Sequence, residues 1–295
     1  MNKKSFKSKI FFNLFFIIMC ALILIPFIML VSASISNEND IATYGYRLLP
    51  MHVDFSAYKY VFKNPVSILN AYKVTALFSF MTMVLGVLFS AMLAYPLTKK
   101  WMRGRVGISF YLYFTMLFSG GMIPTYILLT QYLNLDDTLW VYVLPALINP
   151  WYVFMMRTFF AGIPEEIAES ALLDGASEFR IFAQIVLPLS KPVLATVALF
   201  LFLDKWNDWY TAMLYINKEE LISLQYMLQR IMDNIKLLQD TSLSGSGSMG
   251  VSVKDIPTET VRMAIAMVVA GPALIVFPFF QKYFVQGLTV GSVKG

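Results

Sequence analysis

An all-α, polytopic membrane protein with six spanning helices is the fold class this 295-residue chain predicts, on three observations. Hydrophobic residues make up 58% and charged residues 14%, against roughly 45–50% and about 25% in soluble domains. Two globules of this length would lack the polar surface to coat them. Mean hydropathy is +0.65, and the apolar residues gather into runs of about 20, the length a helix needs to cross a hydrocarbon layer about 30 Å thick.

Residues 1–10 form a basic tail with Lys3, Lys4, Lys7 and Lys9, and residues 11–295 form one transmembrane domain. The first span covers 11–33. A basic start before an apolar run also describes a secretory signal peptide, with Ser32-Ala33-Ser34 as cleavage site. A signal core is typically about 7–15 residues, and this run is longer, so an uncleaved span is favoured. Further clear spans cover 74–97, 106–129, 138–161 and 261–284. The fifth in order, 185–208, is weaker, since between Lys191 and Asp204 only the twelve residues from Pro192 to Leu203 run without a charge. It crosses if the helix starts near Ile185 or carries Asp204, Lys205 and Asp208 outward; a buried amphipathic helix that does not cross is the alternative.

Orientation follows from Lys and Arg in short loops. Lys99, Lys100, Arg103 and Arg105 crowd the connection between spans two and three, whereas Gln131 to Asp137 holds none. The amino terminus and the second-to-third loop are therefore expected inside, with 162–191 and the carboxyl terminus, and the loop 209–260 outside. The outer loop contains Thr241-Ser-Leu-Ser-Gly-Ser-Gly-Ser-Met-Gly250, a Gly/Ser stretch with little to pack. Gly245 and Gly250 have P-loop spacing, but Val251 stands where the phosphate-binding lysine is required.

Several functions are disfavoured. The net charge of +5 is scattered between apolar runs rather than forming a basic stripe, against nucleic-acid binding. One histidine, His52, and one cysteine, Cys20, cannot build a His-rich metal site or an intrachain disulfide. An ion-driven carrier normally places acids mid-membrane, and the clear spans carry no Asp or Glu. No clustered catalytic carboxylates or nucleophile motif marks an enzyme.

The segment 162–191 carries the functional argument. Pro164 suits the first position of a helix, and Glu165 and Glu166 then sit at the positive end of its dipole. Ile167, Ala168, Ala171 and Leu172 share one stripe at helical spacing, so this short helix should lie on the membrane face or against a partner. Gly175 offers a turn or a close backbone contact. A second helical piece is expected from Ser177 to Val186, with Pro188 breaking it before the membrane is re-entered.

Glu169-Ser170-Ala171, Gly175, Ile185 and Leu187-Pro188, at their spacing, resemble the EAA loop of permease subunits of binding-protein-dependent ABC importers. Six fixed positions at frequencies of about 5–10% each would coincide by chance on the order of one time in 10⁴ or rarer. Ser170 stands where the family pattern has alanine; serine is also small. The end, Gln281 to Gly295, is similar to the tail of the carbohydrate-uptake branch, the second permease of maltose-type importers. Phe118-Ser-Gly-Gly-Met-Ile-Pro-Thr-Tyr126 and Phe277-Pro-Phe-Phe-Gln-Lys-Tyr-Phe284 resemble permeases of the Gram-positive subgroup that takes up complex glycans and uronates.

The resemblance implies a type I importer permease fold, with a cytoplasmic coupling helix between helices four and five. It implies ATPase coupling through Glu169, Ser170, Ala171, Asp174, Gly175, Phe179, Leu187 and Pro188, and an ATPase-contacting tail at Gly287, Gly291, Lys294 and Gly295. The implied partners are a homologous second permease, a dimer of ABC ATPase subunits, an extracellular solute-binding lipoprotein, an oligosaccharide substrate and membrane lipid. Such a chain lies in the cytoplasmic membrane with both termini inside. It is not an enzyme and holds no cofactor, because ATP and Mg belong to the partner ATPase.

For the substrate path the residues themselves suggest candidates, since polar groups within spans face the bundle interior or a water-filled cavity. They are Asn149, Asn207, Asp208, Ser119 and, with Thr115, the pair Gly120 and Gly121, which with Pro124 could open span three and expose its carbonyls. The alternatives are that Asn149 caps a helix beginning at Pro150 and that the glycines allow close packing.

Overall fold

The computed structural model describes residues 3–243 and 258–291, which are mostly helical and contain no strand beyond one isolated antiparallel bridge between Ser36 and Val53. The chain divides into two compact units, 1–66 with 228–272, and 67–227 with 273–295.

The first unit opens with α1 (Lys3–Ser34), whose apolar side chains from Phe11 to Ile28 are exposed around its circumference. Such a helix suits hydrocarbon or the flank of another subunit, not water. α2 (Glu38–Tyr44) starts where the Asn37 side chain accepts the Asn39 N–H. α3 (Ser56–Val61) starts after Asp54, whose carboxylate accepts the Ser56 N–H at 2.9 Å.

Glu38 then reaches a helix more than two hundred residues away. It accepts the backbone N–H groups of Thr258, Glu259 and Thr260 at 3.0, 2.9 and 2.9 Å, and the hydroxyls of Thr258 and Thr260. These amides lack partners within their own helix, and an anion at that end is favoured by the helix dipole. Burial pushes the Glu38 carboxyl up, but the five donors outweigh it and hold it below its ordinary value. Beside it, Glu259 accepts from the Tyr46 hydroxyl at 2.8 Å and from Arg262 at 2.9 Å.

The second unit contains most of α4 (Pro65–Ala94), which begins at Pro65, well before the apolar run at Val74, because its first turns are helical though partly polar. The expected span 106–129 is two helices, α5 (Arg105–Leu117) and α6 (Met122–Tyr132), meeting at 114°. Gly121, at φ +88°, makes the turn in a region that favours glycine. The expected span 138–161 is likewise interrupted: α7 (Trp140–Val143) and a 3₁₀ turn at Leu144–Ala146 precede α8 (Pro150–Ala161), which the Asn149 side chain caps by accepting the Trp151 N–H at 2.9 Å.

α9 (Glu165–Leu173) begins one residue after Pro164, which is the cap rather than the first helical residue. α10 (Glu178–Leu189) and α11 (Lys191–Trp206) meet at 80°. Pro188 lies inside α10 and does not break it. The preceding turn, Phe182–Val186, is widened to a π-helix, which accommodates a residue that would otherwise crowd the carbonyl one turn back. The break falls at Ser190 instead. α12 (Tyr210–Tyr215), α13 (Leu224–Leu243) and α14 (Thr258–Gly291) complete the order. The amphipathic α13 occupies part of the outer loop expected from composition alone; the rest of its Gly/Ser stretch, with Val251, lies outside the described residues, as do Lys294 and Gly295 of the tail.

Among the described residues two helices are long and apolar enough to cross a membrane, and four if each bent pair counts as one span. Two cores hold the second unit. In one, Phe78 and Tyr142 stack with ring centroids 4.1 Å apart, and Tyr142 donates to the Leu221 carbonyl at 2.8 Å. In the other, Leu97, Val153, Met156, Ile181 and Val197 are all fully buried.

Glu38→Gln keeps the side chain's size but removes its charge from the helix end. We expect a loss of about 1–2 kcal/mol, read as a lower thermal unfolding midpoint of the detergent-solubilised protein at neutral pH. Because the folded carboxyl titrates below its unfolded value, the gap between wild type and variant is full above the ordinary glutamate range of about 4.3. It shrinks as pH falls through the lowered value.

Candidate functional site

The segment between α8 and α11 is pinned from one side and bare on the other. Ala168 and Ala171 of α9, with Ile163 and Ala176 flanking it, pack against the core that contains Tyr95, Phe160 and Ile181. Small side chains let the short helix lie close to that core. Ile167 and Leu172 face outward with Leu173, which is 90% exposed, and with Phe179 of α10, 71% exposed. The apolar stripe expected to form one face is thus split between an inner alanine side and an outer leucine side.

Charge holds this arrangement. Lys100 lies 3.8 Å from Glu165, and Lys99 lies 3.9 Å from Glu178 and 4.9 Å above the Tyr95 ring. Glu178 also accepts a hydrogen bond from the Tyr95 hydroxyl. The exposed Lys100–Glu165 pair contributes at most about 1 kcal/mol; the half-buried Glu178, held by both Tyr95 and Lys99, is the firmer tie. Tyr95, Glu178 and the pairing of Lys99 and Lys100 with these acids were not read from the sequence, although the run of basic residues at 99–105 and the acids at 165–178 were available as complementary signals.

The other residues expected to couple lie around this frame. Glu169 is exposed and makes no side-chain hydrogen bond or ion pair among the described residues. The Ser170 hydroxyl donates back to the Glu166 carbonyl at 2.8 Å, a bond within the helix. Asp174 ends α9, and Gly175 follows at φ +80° with nothing within 4 Å of where a Cβ would sit. Of the two roles open to Gly175, the turn is the one this chain uses. Ser177 then caps α10 by accepting the Arg180 N–H. Leu187 packs against the core and Pro188 is exposed.

Around the end of α11 lies an open cavity of about 570 Å³, lined by Asp204, Lys205, Asn207, Asp208, Trp209 and Tyr210 among others. Asp208 is largely committed to structure. It accepts from Lys205 at 2.8 Å and from the Thr211 N–H and hydroxyl at 3.0 and 2.8 Å, and its carbonyl accepts the Ser223 hydroxyl. Asn207 accepts from Gln225 and donates to the Leu203 carbonyl. Both candidates therefore sit at the cavity, but with their polar atoms engaged. Asn149 is the cap of α8, and the Ser119 hydroxyl accepts the Gly121 N–H at 3.2 Å. Thr115 donates to the Leu112 carbonyl. Gly120 and Gly121 lie at the bend between α5 and α6.

A further link was not foreseen. Asp137, at φ +52°, accepts the backbone N–H groups of Asn217 and Lys218, the latter at 2.9 Å. These two amides hold its carboxyl below the usual aspartate range. The bond closes the connection before α7 onto the connection after α12.

The sequence profile of the family described as "Binding-protein-dependent transport system inner membrane component" matches residues 6–290. The chain is 38% identical over 275 residues to Protein LplC of Bacillus subtilis (strain 168), covering 93% of this chain and 90% of the relative. It is 37% identical over 285 residues to the polygalacturonan/rhamnogalacturonan transport system permease protein YtcP of the same organism, covering 95% and 96%. Among solved structures it is similar to a chain of a bacterial ABC transporter involved in the import of the acidic polysaccharide alginate. That likeness has a TM-score of 0.77 and 29% identity, over 96% of this chain and 99% of that one. An exposed, acid-rich helical segment anchored by alanines, the bent helices around it and a match over nearly the whole length lead to one conclusion: the chain belongs to the family of binding-protein-dependent transport system inner membrane components.

Proposed function

We propose that the chain is a permease subunit of a binding-protein-dependent ABC importer, forming half of a membrane channel that moves an oligosaccharide inward on ATP hydrolysed by partner subunits. The observation that carries this is the segment 165–179. An importer needs a rigid element that transmits ATPase movement, because packed interfaces switch between discrete arrangements rather than deforming continuously. α9 has the required form, with Ala168 and Ala171 seated on the core, Glu178 tied to Tyr95 and Lys99, and Leu172, Leu173 and Phe179 facing outward. The outward leucines would enter an ATPase cleft, with unpaired Glu169 available to a basic group there.

Six spanning helices, both termini inside, and a coupling helix between helices four and five are part of this reading. The domain limits proposed are a basic tail at 1–10 and a transmembrane domain at 11–295. The spans cover 11–33, 74–97, 106–129, 138–161, 185–208 and 261–284, with a coupling loop at 162–191 and an outer loop at 209–260. The contacts of Lys99 and Lys100 with Glu178 and Glu165 support placing the 99–105 and 162–191 connections on one side. A second permease, an ATPase dimer carrying ATP and Mg, and an extracellular solute-binding lipoprotein complete the assembly. The substrates for which the relatives are named, polygalacturonan and alginate, favour an acidic oligosaccharide. The proposed path runs by the cavity at 203–211 and the opened bend at Ser119, Gly120 and Gly121, with Asn149 on the fourth span also part of it.

Gly175→Asp and Glu169→Lys should each abolish ATP-dependent uptake by the purified complex in proteoliposomes while leaving membrane insertion intact. An L-residue at Gly175 is strained by about 1 kcal/mol, too little to unfold the chain but enough to re-aim α9. Normal uptake with either change would remove the coupling assignment. Deleting residues 287–295, which include Gly287, Gly291, Lys294 and Gly295, should lower substrate-stimulated ATP hydrolysis several-fold more than it lowers the amount of protein in the membrane. Equal losses in both would mean that the tail serves only stability.

A further inference from the structure

Between α5 and α8 lies a second cavity, of about 430 Å³, that transport by the proposed path does not use. Two arginines line it. Arg105 is the first residue of α5, and Arg157 stands four residues before the end of α8. Ser109 links them, donating to the Arg105 carbonyl at 2.7 Å and accepting from Arg157 at 3.0 Å. Phe110, Tyr113 and Phe154 form the rest of the wall.

Among the described residues no carboxylate lies within ion-pair distance of either arginine. That is costly for Arg157, which sits within an apolar run and uses one of its five N–H donors on Ser109. Elsewhere in this unit the partly buried charges are paired, as Lys205 is with Asp208 and Lys99 with Glu178. The unmatched pair of guanidinium groups therefore calls for an anion from outside the chain. Guanidinium forks match phosphate oxygens in two-point contacts. The cavity also opens onto apolar surface, since Phe110, Tyr113, Phe114 and Leu117 are exposed along α5. A free phosphate would gain nothing from that surface, whereas acyl chains would cover it.

We propose that Arg105 and Arg157, with Ser109 between them, form a binding site for the phosphate headgroup of an anionic membrane phospholipid, whose acyl chains lie along the aromatic face of α5. Basic pockets between membrane helices at one face of a bilayer take such headgroups. Arg105 closes the basic run Lys99–Arg105, so the site is at the membrane surface where that run lies. The inference rests on the permease reading only in setting α5 and α8 in a bilayer, and its test measures lipid affinity without transport, so that either can fail alone.

The test uses the assembled complex, delipidated in detergent, with phosphatidylglycerol and phosphatidylcholine titrated separately and binding read by native mass spectrometry. Phosphatidylglycerol should bind more tightly than phosphatidylcholine by about tenfold or more, a comparison that needs no variant. Arg105→Gln alone should weaken phosphatidylglycerol about fivefold, and Arg105→Gln with Arg157→Gln about 25-fold, with phosphatidylcholine unchanged. Arg105→Lys with Arg157→Lys should recover only part of that loss, because lysine keeps the charge but not the two-point contact. Equal affinity for the two lipids overturns the proposal, as does undiminished phosphatidylglycerol binding by the glutamine variants. Displacement of the lipid by millimolar inorganic phosphate would assign the site to a free anion. Selective binding by the isolated chain that disappears in the assembled complex would assign it to a carboxylate of a partner subunit.

Discussion

Backbone amides and carbonyls inside a bilayer have no water to fall back on, so every interruption of a helix there must be satisfied by the chain itself. This constraint matches the local chemistry at three breaks of the second unit. Where α5 ends, the Ser119 hydroxyl takes the Gly121 amide; where α8 begins, Asn149 takes the Trp151 amide; after α11, Asp208 takes the Thr211 amide. The helices also widen into π turns at Leu128–Tyr132 and, ahead of Pro188, at Phe182–Val186. Ser119, Asn149 and Asp208, three of the polar residues expected along a substrate path, are therefore first of all groups that satisfy backbone at helix breaks.

The same economy governs charge. Lys205 and Asp208 are both nearly buried and lie 2.8 Å apart, an arrangement that stabilises little in itself but becomes costly if either partner is removed. Glu178 sits between Tyr95 and Lys99, joining the end of α4 to the start of α10. Arg105 and Arg157 have no such partner among the described residues, and this contrast gives the second cavity its meaning. In the first unit Glu38 plays the corresponding part at a helix start, with five donors converging on one carboxylate.

α9 shows how a short helix is held in place. Nine residues cannot hold a helix in water on propensity alone. It persists because Ala168 and Ala171 seat on a core and because acids at its start meet both its own dipole and Lys100. Anchoring through small residues leaves the larger ones, Leu172 and Leu173, for whatever binds from outside. Gly175, at positive φ, turns the chain within three residues into a second, separately capped helix.

Composition and run length were enough to read a helical membrane chain, and the spacing from Glu169 to Pro188 was enough to read its family, because both depend on properties local to the sequence: hydropathy over one helix length, and residue types at fixed offsets. The helical character of 165–173 and the cap at Asn149 were legible for the same reason, since a proline beside an acid or an asparagine acts within one turn. The opening at Gly120 and Gly121 was one of the readings the sequence offered, but the bend at Ser190, the tolerance of Pro188, the attachment of Glu178 to Tyr95, and the juxtaposition of Arg105 with Arg157 were not legible. Each is decided by which helices pack together, across separations of tens of residues, and packing sets whether a proline breaks a helix or widens it and whether a charge finds a partner. Glu38 and the amides of Thr258 to Thr260 are the extreme case, where only the tertiary structure could choose that acid for that helix end.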